Sequence, residues 1–164
     1  MPQKIDFSVV RFLVVDAHPM MQEMLRDVLM VLGAETVFRA ANVAQAVRYL
    51  REDQVDVMIT ESSLGSVSGF ELVDFVRLDS NSPNRIMPII MLTADADGDR
   101  VQEARDHGVT EFLAKPFTVD SLYQRLVSAV ARPRSFINAD GYFGPDRRRK
   151  EATYQGAERR ADQP

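Results

Sequence analysis

The apolar residues of this chain fall into short β-branched runs separated by stretches of helical spacing. Residues 9–15, Val-Val-Arg-Phe-Leu-Val-Val, form the first run, the kind of strand that a parallel sheet buries on both faces. Pro19 suits the first position of a helix, and Met21, Met24, Leu25, Val28, Leu29 and Leu32 follow at helical spacing until Gly33 stops it. The alternation continues with strand 36–39, helix 43–50, strand 55–60, helix 70–77, strand 87–92, helix 100–107 closed by Gly108, strand 111–114 and helix 120–130. Five strands alternating with helices predict right-handed crossovers, and so an α/β fold with a doubly wound, five-stranded parallel sheet.

Beyond Pro133 no period is sustained, which divides the chain into a domain over residues 1–131 and an arginine-rich tail over 132–164. Charge follows that division. Residues 1–131 carry 12 basic and 19 acidic side chains, a net of −7, whereas residues 132–164 carry 8 and 5, a net of +3. A basic tail on an acidic body points to the tail as the part that meets an anion. Unbound, residues 133–164 are expected to be largely disordered, because Phe136, Ile137, Tyr142, Phe143 and Tyr154 are too few to bury a core of their own.

Composition removes several classes of function. There is no cysteine, hence no disulfide frame and no thiolate metal site, which fits a cytoplasmic protein. The most apolar early stretch is broken by Arg11 and falls far short of the ~18 residues of a membrane span, so membrane insertion is not expected.

Phe12-Leu13-Val14-Val15-Asp16, Leu92-Thr93-Ala94 and Lys115-Pro116-Phe117 end the first, fourth and fifth expected strands, the edge of a doubly wound sheet where sites form. In that order they resemble the receiver domains of response regulators, whose simplest relative is the chemotaxis regulator CheY. The likeness covers roughly residues 9–131 and implies the flavodoxin-like receiver fold. It also implies an acceptor aspartate at the end of the third strand, two acidic residues after the first strand that hold magnesium, and a Thr/Ser and a Lys that read phosphoryl oxygens. Asp16, Thr93 and Lys115 match that pattern. Ala17 replaces the second acid, and Glu61 stands at the acceptor position.

Such a degenerate pocket is expected not to take the phosphoryl group, and magnesium is not expected in it. Phosphoryl transfer needs in-line positioning and metal neutralisation of the equatorial oxygens. Ala17 removes a carboxylate from an ion that demands near-octahedral oxygen ligands, and the extra methylene of Glu61 displaces the attacking group, where ~1 Å can change the rate ~10²-fold. Two readings of Glu61 stand open: a tolerated replacement, or a partner of Lys115 that imitates the phosphorylated state. Phe112 falls where relatives place a switching aromatic, but as an alternating strand residue it reads first as core. His18 and His107, at a helix start and a helix end, read as capping residues.

The tail repeats itself. Tyr142-Phe143-Gly144-Pro145-Asp146-Arg147-Arg148 is echoed after 12 residues by Tyr154-Gln155-Gly156-Ala157-Glu158-Arg159-Arg160, and Arg149 extends the first arginine run. The guanidinium fork suits a phosphate or the O6/N7 edge of guanine, and its face stacks on a base. An ionised carboxylate only accepts hydrogen bonds, so it suits the N–H edge of guanine and repels phosphate. Glycine admits close backbone approach and tyrosine offers a stacking surface. Two such units suit a ligand with two guanines and two phosphates, a description that cyclic di-GMP meets. With these residues the chain resembles the CheY-like cyclic-di-GMP effectors, the Cle family, a non-enzymatic group associated with the flagellar motor and surface attachment. That resemblance implies docking on the flagellar motor switch, with recruitment to the flagellated pole. Two other readings compete: a nucleic-acid-binding regulator that contacts phosphates through the basic tail, and an atypical phosphorelay receiver modified at Asp16 or Glu61.

Overall fold

The computed structural model describes residues 4–148. Its first regular element is not the strand expected from residue 9 but a single 3-10 turn, Phe7–Val9, whose cap Asp6 accepts a hydrogen bond from the Ser8 amide. The parallel sheet comprises β1 (Arg11–Val15), β2 (Thr36–Ala40), β3 (Val57–Glu61), β6 (Ile89–Thr93) and β7 (Glu111–Ala114), in the order β2-β1-β3-β6-β7. Between them run α1 (Pro19–Val31), α2 (Val43–Glu52), α3 (Gly69–Leu78) and α4 (Gly98–His107), and α5 (Val119–Ala131) follows β7. A short antiparallel ribbon, β4 (Ser63–Leu64) and β5 (Val67–Ser68), precedes α3.

Strand alternation splits the interior into two layers. Leu13 and Val15 face Ala46, Leu50, Val73, Val76 and Ala104 of α2, α3 and α4, while Phe12 and Val14 face Leu25, Leu29, Leu122 and Leu126 of α1 and α5. Ile89, Ile90, Met91 and Leu92 are all buried, which is why β6 reads as an unbroken apolar run. No helix among the described residues is long and apolar enough to cross a membrane.

The expectation of disorder beyond residue 133 is corrected as far as residue 148. β8 (Phe136–Ala139) and β9 (Tyr142–Pro145) form an antiparallel hairpin joined by Asp140-Gly141, with Gly141 at φ 71°. A two-residue Asp-Gly connection between apolar runs is a strong hairpin signal. The aromatic residues need no core of their own because they pack on the body. Phe136 and Phe143 meet with ring centroids 5.5 Å apart, and Arg77 and Arg85 lie over their faces at 5.0 and 4.0 Å. Gly144 is buried so tightly against Gly108 that a Cβ on it would come within 2.9 Å of the Gly108 Cα. Residues 149–164, and with them the rest of the expected disorder, lie outside the described residues.

Both histidines differ from the capping expected of them. His18 occupies the N-cap position of α1, but its side chain makes no cap hydrogen bond and turns its Nδ1 to Asp16 Oδ1 at 3.2 Å. His107 ends α4, yet its Nδ1 lies 2.6 Å from Asp74 Oδ1 of α3 and its ring stacks on Phe70 at 4.7 Å. It ties two helices together instead of closing one.

Candidate functional site

Parallel strands end together, so Asp16 after β1, Glu61 at the end of β3, Thr93 at the end of β6 and Lys115 after β7 converge. Lys115 Nζ donates to Glu61 Oε2 at 2.5 Å and to Asp16 Oδ2 at 3.1 Å. The side chains of Asp16, Glu61 and Lys115 are 2%, 11% and 15% exposed. Burial pulls the Lys115 ammonium down, but the hydrogen bonds and attraction of the two carboxylates outweigh it and hold the group above its ordinary range. Glu61 Oε1 accepts from the Ser62 amide at 2.8 Å and the Ser62 hydroxyl at 3.0 Å. That hydroxyl lies 2.7 Å from Thr93 Oγ1, which also accepts from the Asp95 amide at 3.1 Å.

Each polar atom of this pocket is therefore engaged by a neighbour. The Glu61 carboxylate is thus held between the Lys115 ammonium and the Ser62 hydroxyl, which leads on to Thr93. Ser62 escaped the sequence reasoning, although its place directly after Glu61 was a usable signal. The donor set does not fit magnesium: Asp16 is committed to Lys115 and to the His18 amide at 2.9 Å, Glu61 is committed to Lys115 and Ser62, and Ala17 offers nothing. No group of three potential metal ligands occurs among the described residues. Phe112 is half-buried on β7, packs against the α2–α4 side of the core and lines a cleft of about 560 Å³ between α4 and α5.

The first tail repeat lies far from this pocket, on the ends of α3 and α4. Tyr142 donates from its hydroxyl to the Pro145 carbonyl at 2.8 Å. Arg147 stacks over the Tyr142 ring at 4.4 Å and reaches Asp106 Oδ1 of α4 at 2.5 Å. Asp146 Oδ1 accepts from the backbone amide and Nε of Arg148 at 2.9 and 3.2 Å. Burial raises the Tyr142 phenol above its ordinary range, against the pull of Arg147 and Arg77. Arg148 also lines a cleft of about 590 Å³ with Arg125, Arg132, Arg134, Glu111 and Ser128. Arg149, Tyr154, Gly156, Glu158, Arg159 and Arg160 lie outside the described residues.

Arg77 is the residue that the sequence reading passed over. It is wholly buried beneath the hairpin, with Nε on the Gly108 carbonyl at 3.0 Å, Nη1 on the Arg85 carbonyl at 2.7 Å and Nη2 near Thr110 Oγ1 at 3.4 Å. Burial pulls its guanidinium down to about 9. Phe70, Val73 and Arg77 share one face of α3, so helical spacing placed it on the apolar stripe in plain view.

Against known proteins, the family model described as response regulator receiver domain matches residues 12–127. The virulence sensor protein BvgS of Bordetella pertussis is 38% identical over 134 residues, which is 80% of this chain but only 11% of that protein. The chemotaxis protein CheY of Pseudomonas aeruginosa is 28% identical over 116 residues, 71% of this chain and 92% of that protein. The solved structure of the chemotaxis response regulator CheY4 of Vibrio cholerae matches with a TM-score of 0.67 at 29% identity, over 74% of this chain and 98% of that one.

Proposed function

Because this chain belongs to the response regulator receiver domain family, we propose that it serves as a non-enzymatic cyclic-di-GMP effector whose output does not pass through a phosphoaspartate. The duplicated Tyr-x-Gly-x-acid-Arg-Arg unit captures the cyclic dinucleotide, and the receiver body docks on a protein partner, the flagellar motor switch, to control motility and surface attachment. The observation that carries this reading is the pairing of a carboxylate with two arginines in both repeats, Asp146 with Arg147 and Arg148, and Glu158 with Arg159 and Arg160. A tail that only attracted phosphate would gain nothing from the carboxylates.

The resemblance to the Cle family supports the ligand, the motor as partner and recruitment to the pole, and the chemotaxis proteins among the relatives support a part in motility. The closed Glu61–Lys115–Asp16 cluster supports signalling without phosphorylation. Calorimetric titration of the full chain tests the reading. Heat is expected with cyclic di-GMP and not with GTP or a short RNA. Equal binding to RNA, falling steeply with salt through counterion release, would replace it with a nucleic-acid-binding regulator.

A further inference from the structure

Two of the residues that the ligand would need, Arg147 and Gly144, also fasten the hairpin to the body. Arg147 gives its guanidinium to Asp106, and Gly144, whose missing side chain should admit a ligand, is pressed against Gly108, while within the tail Tyr142 gives its hydroxyl to Pro145 and its ring face to Arg147. Two body arginines complete the fastening: Arg85 stacks on Phe143, and Arg77, without a carboxylate partner among the described residues, lies under Phe136. In this arrangement Arg147 and Gly144 cannot keep their contacts with the body and turn to a nucleotide at the same time.

We propose that docking of the hairpin on the ends of α3 and α4 and capture of a guanine nucleotide by the first repeat exclude one another, so that the body holds the tail in a low-affinity state. The inference rests on the cyclic-di-GMP reading above and adds its regulation. A ligand that binds only the undocked tail has its apparent affinity reduced by the undocked fraction, and the coupling is reciprocal: ligand drives the hairpin off α3 and α4 by the same factor. Body residues that never touch the ligand then govern its affinity. An exposed pair such as Arg147–Asp106 shifts such an equilibrium by about 1.5- to 5-fold.

The test is titration of the unaltered full chain, Asp106→Asn and Arg85→Ala with cyclic di-GMP, together with NMR cross-peaks between the Gly108 and Gly144 α-protons. Both variants are expected to bind about 1.5- to 5-fold tighter than the unaltered chain. The Gly108–Gly144 cross-peaks are expected in the free protein and should vanish at saturation. Weaker binding by the variants, or cross-peaks that persist at saturation, would overturn the proposal and make the docked hairpin part of the ligand site, beside the cleft of Arg125, Arg132, Arg134 and Arg148. Absence of any binding by the unaltered chain overturns the functional reading and this regulation with it; binding with the wrong sign in the variants removes the regulation alone.

Discussion

Replacing Lys115 with methionine deletes the cation that joins two buried carboxylates while keeping most of the side-chain volume. Asp16 and Glu61 then face each other with no counter-charge, at side-chain exposures of 2% and 11%. The lost contacts are charge-assisted hydrogen bonds of 2.5 and 3.1 Å, each worth ~1.5–3 kcal/mol. Backbone amides of His18 and Ser62 still bond the carboxylates, which offsets part of the loss. Removing one partner from a buried ion pair costs about 3–5 kcal/mol, and that range is the expected loss here. Against a domain stability of ~5–15 kcal/mol this is a large fraction, visible in urea as a midpoint lower by more than about 1 M at unchanged slope. The double variant Lys115→Met, Glu61→Gln removes one of the two uncompensated charges and should recover at least about 1 kcal/mol. A single-variant loss below about 1 kcal/mol, the ordinary worth of an exposed pair, would mean that water screens the cluster and that Glu61 is not locked to Lys115. A double variant no more stable than the single one would refute the coupling itself.

Other outcomes follow from the same geometry. Acetyl phosphate with magnesium should leave no acyl phosphate detectable by mass spectrometry, and Glu61→Asp alone should restore little because Ala17 still lacks a carboxylate; the pair Glu61→Asp, Ala17→Asp is the variant expected to regain a phosphoryl group. Lys115 is held above its usual 10.5, so the unfolded chain gives up this proton first. Its stabilisation is therefore fully present below about pH 10.5 and lost as pH rises through the folded value, an alkaline component that Lys115→Met should lack in pH-dependent unfolding. Tyr142 is also raised, but by burial of a group that is neutral when protonated; absorbance titration should show a phenol ionising later than its usual 10, and Phe136→Ala, which loosens the hairpin, should bring it back. Glu158→Ala titrated at two salt concentrations separates guanine reading, which predicts weaker binding, from phosphate attraction, which predicts slightly tighter binding.

The parts of the fold that one face of a strand or helix encodes were open to reading. The five parallel strands and five helices sit within a few residues of their expected positions, because periodicity of two or of 3.6 is a local property. The site residues Asp16, Glu61, Thr93 and Lys115 were also legible, since a parallel sheet brings its strand ends together wherever they fall in sequence. Ser62 was passed over: its place directly after Glu61 was a signal, but its bridge to Thr93 has no periodic signature. The hairpin was missed for a different reason. Phe136, Ile137, Tyr142 and Phe143 were weighed as though they had to bury one another, and by that measure they fall short. Asp140-Gly141 announced the turn, but the surface that receives it, formed by Arg77, Arg85, Asp106 and Gly108, is spread over three segments of the body.

That surface bears on how a receiver can be rewired. The acceptor pocket lies at the carboxyl ends of the strands, whereas Gly108 and Thr110 precede β7 at the opposite end, where the hairpin docks. Arg77 reaches that end from the last turn of α3, the helix whose entry follows directly on Glu61 through Ser62 and the Gly69 amide bond to the Ser62 carbonyl, 2.8 Å. α3 thus runs from beside the pocket to the hairpin seat. On the function proposed above, Glu61 held by Lys115 would leave the pocket end without a phosphoryl input, and the tail would be the part that responds. In that proposal Glu61 would remove a competing input as well as an acceptor, leaving undocking of the hairpin as the event for a ligand to control.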